Sequence, residues 1–215
     1  MDDKTLVSRR TLVQGSLVVG AAALAAGGLG LSGGVAFADT DDAPPIQQGV
    51  QYGFLVNASK CTNCGKCAKA CRKENKTPDS LAGRRQVISH VLESGKTVFI
   101  PFSCMHCQKP GCMAACPAGV ISKRADGIVV FNQDVCIGCK YCYFACPFGV
   151  PQYGSKGMDK CDCCIEAGIP AGQETNCAKA CEFEALVYGK ISDLESRYPG
   201  AKRIEAPTGP SYLLV

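Results

Sequence analysis

The sequence predicts an α+β chain of short strands, hairpins and short helices, built around metal centres rather than around a large apolar core. Three observations carry this. The 17 cysteines among 215 residues fall into four spaced groups. The segments between the groups alternate apolar and polar residues over strand lengths and are punctuated by turn residues. Beyond residue 38, no hydrophobic run approaches the roughly 20 residues that a membrane-spanning helix needs.

The first element is a leader. In "SRRTLVQGSLVVGAAALAAGGLGLSGGVAFADT", residues 8–40, Arg9 and Arg10 precede a Gly/Ala-rich hydrophobic run, which Ala36-Phe37-Ala38 closes as an A-x-A cleavage site. Residues 1–38 are therefore expected to be a signal peptide. A retained anchor is the alternative, but Gln14 and the many glycines keep the hydrophobicity per residue low. Ser8-Arg9-Arg10-Thr11-Leu12-Val13 resembles the twin-arginine signal, which exports proteins already folded. That route puts the remainder in the periplasm or on the outer face of the cytoplasmic membrane, with residues 39–52 as a linker. The formal net charge of +4 is too small and scattered to argue for nucleic acid.

The cysteine groups follow. Group one, "CTNCGKCAKAC", sets Cys61, Cys64, Cys67 and Cys71 at C-x2-C-x2-C-x3-C. Group two, "CMHCQKPGCMAACP", holds Cys104, Cys107, Cys112 and Cys116 with a wider middle gap. Group three, "CIGCKYCYFACP", repeats the first spacing with Cys136, Cys139, Cys142 and Cys146 and adds Pro147. Group four is looser: Cys161, Cys163 and Cys164 in "KCDCCIEAG", then Cys177 and Cys181 in "NCAKAC".

Disulfides suit an exported protein, but the cysteine count is odd, and thiols so close on a tight loop make poor disulfide partners. Structural zinc uses two C-x2-C knuckles and has no role for the third cysteine of groups one and three. A cubane iron-sulfur cluster needs four thiolates, and C-x2-C-x2-C-x3-C-P is the bacterial run for it: three cysteines wrap one cluster and the fourth points to its neighbour. Iron-sulfur clusters are the reading that uses all of the spacing. It also accounts for the leader, because export after folding lets the cytosol fill the sites while thiols are reduced.

Between the groups, "RQVISHV" alternates, "ESGK" turns and "TVFIPFS" returns, a hairpin. "AGVISKR" and "IVVFN" form a second hairpin around Asp126-Gly127. Short helices are expected after the last cysteine of each group, as in "AKACRKEN" and "YFACPFG".

At "KCTNCGKCAKACRKEN", "PFSCMHCQKPGCMAACPAGVI", "GIVVFNQDVCIGCKYCYFACPFGVPQY" and "KCDCCIEAG", from about Gly53 to Tyr212, the sequence resembles the four-cluster ferredoxin-like electron-transfer subunits of the dimethyl sulfoxide reductase type. The resemblance implies four 4Fe-4S clusters with ligands exchanged between groups. Cys61, Cys64 and Cys67 would join Cys181; Cys161, Cys164 and Cys177 would join Cys71. Cys104, Cys107 and Cys112 would join Cys146; Cys136, Cys139 and Cys142 would join Cys116. It implies two ferredoxin-like modules over 53–190, an inner one at about 99–155 and an outer one from 53–98 plus 156–190, followed by a docking tail over 191–215. Two departures stand out: Glu182-Phe183-Glu184 follows Cys181 where the family commonly has Pro-x-Gly, and Cys163 adds a thiol between two expected ligands. Cys163 is expected to be a buried spare, with a substitute ligand or reactive thiol as alternatives.

His106 is expected beside a cluster or facing a partner rather than ligating iron, and His90 in a surface or satisfied position on a strand. Lys140 and Tyr141 are expected to shield a cluster or meet a partner, and Arg84-Arg85 to be solvated. No catalytic set or phosphate loop is present, so no substrate chemistry of its own is expected. The resemblance implies a relay between a quinone-linked membrane subunit and a catalytic molybdopterin subunit. The alternatives are an independent periplasmic polyferredoxin, a hydrogenase or nitrite-reduction partner, and a non-redox zinc protein.

Overall fold

A computed structural model of the protein describes residues 50–215; the leader and all but the end of the linker lie outside the described residues. The linker gives way to folded structure at Gln51, whose amide donates to the carbonyls of His106 and Gly127 at 3.2 and 2.9 Å. The next residue, Tyr52, opens strand β1 (Tyr52–Val56).

β1 is the centre of the outermost assembly. It pairs antiparallel with β8 (Leu186–Lys190) and parallel with β10 (Tyr212–Leu214), which in turn pairs with β9 (Lys202–Arg203). Side chains along a strand alternate between faces. Phe54 and Val56 accordingly pack with Tyr188, Leu186, Tyr212 and the thiols of Cys67, Cys71, Cys161 and Cys177. Leu55 and Leu213 face the other way, onto Ile191 and Leu194 of helix α5 (Ile191–Arg197). The parallel pairing requires Gly53, since a Cβ there would lie 2.1 Å from the Ser211 carbonyl oxygen.

The two expected hairpins form. β2 (Gln86–Val91) pairs with β3 (Thr97–Phe102), and β4 (Ile121–Lys123) with β5 (Val129–Phe131). Gly127 takes φ 78° and the Asp126 carboxylate accepts the Ile128 N–H at 3.0 Å, which closes the second turn. A third hairpin, β6 (Gln152–Gly154) with β7 (Gly157–Asp159), was not foreseen. Its strands are three residues long, too short for alternation to register.

The helices depart from expectation in position. α1 (Lys66–Glu74), α2 (Gly111–Ala114), α3 (Tyr141–Phe144) and α4 (Asn176–Lys179) begin just before the third or fourth cysteine of their groups instead of after the last. In groups two and three Pro117 and Pro147 follow the fourth cysteine, and a proline cannot continue a helix. Group one has no such proline, and α1 runs on to Glu74. α1 packs on α4, and α2 on α3.

The 191–215 segment, expected to be a docking tail, has structure of its own. It is α5, β9 and β10, with Tyr212 and Leu213 fully buried, because apolar "YLLV" completes the sheet beside β1 and is covered on both faces. Among the described residues no helix is long and apolar enough to cross a membrane.

Candidate metal centres

The loops that carry the cysteines share one backbone device. The second residue after the first cysteine of each group sits in the left-handed region: Asn63 (φ 56°), His106 (φ 43°), Gly138 (φ 67°) and Cys163 (φ 57°). Gly65 (φ 72°) and Lys140 (φ 65°) repeat the turn two residues later in groups one and three. Such residues reverse the backbone within one step, so successive thiols converge on one point. Cys163 thus occupies the same place as Asn63, His106 and Gly138, between the first two cysteines of a group.

The thiols gather in four places. Burial pushes Cys61 up, with Cys181 and Cys64 adding to the effect. Cys67 is raised to about 11 by burial, with Cys177 and Cys181 beside it. Burial raises Cys71 further, helped by Cys161, Cys177 and Cys164, and holds Cys164 at about 11. Cys107 and Cys112 are pushed up by burial, and each feels Cys146; Cys104 reaches about 12. Cys142 is raised by burial and by Cys116 and Cys136, and Cys139 joins these three in lining one cavity. Cys104 is also close to Cys161, which links the second and third gatherings. Cys181 thus lies with group one, Cys71 with group four, Cys146 with group two and Cys116 with group three.

Donors aim at the sulfurs. Asn75 Nδ2 lies 3.7 Å from both Cys71 and Cys164 Sγ. Arg85 Nη2 lies 3.5 Å from Cys177 Sγ, and Thr175 Oγ1 3.4 Å. At the far end, backbone N–H groups of Val120 and Met158 donate to Cys116 and Cys136 Sγ at 3.4 and 3.3 Å, and Tyr153 Oη is 2.8 Å from Cys142 Sγ.

Arg84 and Arg85, expected to be solvated, are buried. Arg84 donates to Asp159 at 2.7 Å, Asp162 at 3.3 Å and Glu166 at 2.7 Å, and its Nη1 also holds Asn75 Oδ1 at 3.1 Å. Asp162 in turn accepts the Cys164 and Glu166 N–H groups at 3.0 and 2.8 Å, which fixes the group-four loop. The carboxylates that bury Arg84 lie more than seventy residues downstream, so the local sequence carries no sign of them.

His106 is fully buried and cannot face a partner. Its Nδ1 accepts the Val129 N–H at 3.0 Å and its Nε2 meets Cys163 Sγ at 3.2 Å. Burial holds His106 below the ordinary histidine range, so the ring is neutral and Nε2 carries its proton. His106 Nε2 and the thiols of Cys161 and Cys163 lie within 4.8 Å of one another. Cys163 stays a neutral thiol, pushed up by burial, whereas Cys161 is pulled down by the Cys163 and His106 groups beside it. Lys160, also buried, donates to the Val129 carbonyl and, at 3.0 Å, to that of Cys161; burial pulls Lys123, beside Cys107, down to about 8. His90 is exposed on β2, and Lys140 and Tyr141 are exposed around Cys139.

Crowded, buried thiols such as Cys67, Cys71, Cys104, Cys112 and Cys164 are held as thiolates by a cationic metal. Arg85 shows the converse requirement. It is buried with an unpartnered Nε and no carboxylate neighbour among the described residues, which suits a site that becomes anionic once filled. All-thiolate quartets with N–H donors to sulfur and such a counter-charge fit iron-sulfur clusters.

The molecule is therefore an iron-sulfur electron-transfer protein, and comparison with known families agrees. Two models described as 4Fe-4S dicluster domains match residues 60–120 and 95–191. The sequence is 38% identical over 160 residues to the B subunit of anaerobic dimethyl sulfoxide reductase from Escherichia coli K12, covering 69% of this chain and 78% of that one. It is 35% identical over 175 residues to the corresponding B subunit of Haemophilus influenzae, covering 75% and 84%. Protein NrfC of Escherichia coli K12 is 37% identical over 156 residues, 69% of each chain. The chain thus belongs to the family of iron-sulfur subunits that contains the B subunit of anaerobic dimethyl sulfoxide reductase.

Proposed function

We propose that this protein holds four 4Fe-4S clusters and relays electrons between a quinone-linked membrane subunit and a catalytic molybdopterin subunit, on the outer side of the cytoplasmic membrane after twin-arginine export. The ligands are Cys61, Cys64, Cys67 and Cys181; Cys71, Cys161, Cys164 and Cys177; Cys104, Cys107, Cys112 and Cys146; and Cys116, Cys136, Cys139 and Cys142. The observation that carries this reading is the mutual influence of Cys61 with Cys181, Cys71 with Cys161 and Cys107 with Cys146, which supports an exchange of the fourth cysteines. Two modules follow: groups two and three with α2 and α3, and groups one and four with α1 and α4. The proximity of Cys104 and Cys161 supports two middle clusters side by side and, with them, four sites in a line.

The ends of that line are where electrons enter and leave. Cys64 and Cys139 are the two exposed cysteines and lie in opposite end sites. When filled, the clusters carry single electrons with little rearrangement. The protein's part is to hold sixteen thiolates, aim N–H groups at sulfur and exclude water from the middle of the line. Anaerobically purified protein is expected to contain about sixteen irons and as many sulfides, as four cubanes require. Zinc as the main metal overturns the cluster reading. Copurification from native membranes with neither a molybdopterin nor a membrane subunit overturns the partner assignment alone.

A further inference from the structure

Two neighbouring arginines are buried together and treated in opposite ways. Arg84 faces three carboxylates. Arg85, 2% exposed, faces none among the described residues. Its Nη1 donates to Tyr212 Oη at 2.8 Å, its Nη2 to Cys177 Sγ at 3.5 Å, its guanidinium carbon stacks 4.3 Å from the Phe54 ring centroid, and its Nε has no partner. A guanidinium does not shed its proton, and an uncompensated buried charge is strongly unfavourable. The ionisable groups around it are Tyr212 and the thiols of Cys177, Cys161 and Cys71, and Cys67 of the adjoining site also feels its charge, but the sulfur it contacts is that of Cys177. Burial keeps the Tyr212 phenol neutral, so the balancing charge has to reside on the sulfurs.

We propose that Arg85 is the built-in counter-charge of the cluster at Cys71, Cys161, Cys164 and Cys177 and sets its reduction potential; this rests on the four-cluster reading above. All four of these cysteines are buried. A cubane with four thiolates is anionic and gains one further negative charge on reduction, so burial alone opposes reduction and lowers the potential. A fixed cation in contact with a ligand sulfur favours the reduced form and raises it. Arg85 thereby keeps a dry cluster in the middle of the line reducible by its neighbours, and it is held in place from β1 and β10, by Phe54 and Tyr212. Arg85 is a positioning residue, not a ligand.

The test uses the full-length protein, purified anaerobically with its clusters and reduced stepwise with dithionite under electron paramagnetic resonance. Arg85→Met is expected to keep the wild-type iron content while one cluster's reduction equilibrium falls by a factor of ten or more, about 59 mV in its midpoint for one electron. The affected signal is the one that Cys164→Ser removes or converts. Arg85→Lys, which keeps the charge, is expected to lower it less. Full iron with every midpoint unchanged in Arg85→Met overturns the proposal. Should Arg85→Met lose the cluster, wild-type protein labelled with 15N-arginine decides: an arginine-nitrogen hyperfine coupling on one reduced cluster supports the contact, and its absence from all signals overturns it. Failure of the wild type to hold about sixteen irons sinks the four-cluster reading instead, so the two failures are distinct.

Discussion

Arg84→Met removes the cation from a buried ion network and leaves a pH-dependent deficit. Asp162 retains two backbone N–H donors, and Glu166, 62% exposed at its side chain, turns to water. Asp159, 5% exposed, keeps only the Gln152 amide at 2.9 Å. Its carboxyl is already held above the ordinary range by burial, against the pull of Arg84. An uncompensated buried charge costs about 3–5 kcal/mol. The alternative is protonation: bringing a carboxyl of pKa about 3.9 to its neutral form costs about 3 kcal/mol at pH 6 and about 4 at pH 7. The cheaper route prevails at each pH. The folded variant therefore holds a proton that the unfolded state has lost, and its stability falls as pH rises above about 4, until the deficit levels at about 3–5 kcal/mol. The assay is anaerobic guanidinium unfolding of wild type and variant at pH 6, 7 and 8, followed by cluster absorption and backbone signal together. Asn75 loses its Arg84 contact too, so iron should leave first from the site of Cys71 and Cys164. A deficit below about 1 kcal/mol at pH 8, or one that grows toward pH 6, would refute the reasoning.

Cys163→Ser should retain four clusters, because Cys163 fills the left-handed loop position that Asn63, His106 and Gly138 fill elsewhere, whereas Cys164→Ser should lose or convert one. Iron content and the resonance of the reduced protein read both, and iron loss from Cys163→Ser would shift the group-four ligands by one residue. Gly53→Ala sets a Cβ 2.1 Å from the Ser211 carbonyl oxygen and 2.7 Å from Ile191 Cδ1, so it should part β1 from β10 and sharply reduce the yield of cluster-loaded protein; wild-type yield and unfolding midpoint would show that the strands have room. Changing Arg9 and Arg10 both to Lys should leave cluster-loaded protein in the cytoplasm, measured by cell fractionation. Unaltered export would mean that a different signal, such as a partner's, carries it.

What the sequence made legible were the features whose cause is local. Cysteine spacing identified the loops, and Asp126-Gly127 and "ESGK" identified two hairpins, because spacing and turn chemistry act within a few residues. The hidden features depend on partners far along the sequence. Nothing near Arg84 announces Asp159, Asp162 and Glu166, and nothing near Arg85 announces Tyr212. His106 and Cys163 each looked like an isolated oddity in "CMHC" and "CDCC"; they are one contact, 3.2 Å long.

The same distinction explains why the 191–215 segment is folded in. Groups two and three lie close in sequence, and the β4–β5 hairpin between them, with α2 packed on α3, brings them together. Groups one and four are separated by that whole inner segment, so bringing Cys71 beside Cys161 and Cys177 closes a much longer loop, with a larger entropic cost that no local element offsets. β1 enters group one and β8 leaves group four, and their antiparallel register, Phe54 opposite Tyr188, holds the ends of that loop side by side. β10 then seals the other edge of β1 and carries the Tyr212 hydroxyl to Arg85. The sheet is thus a clasp on the long loop, and one of its faces forms a wall of the most buried thiol site. Loosening the clasp should release iron from the sites of groups one and four while sparing those of groups two and three, and Gly53→Ala, read cluster by cluster, distinguishes that order from a uniform loss.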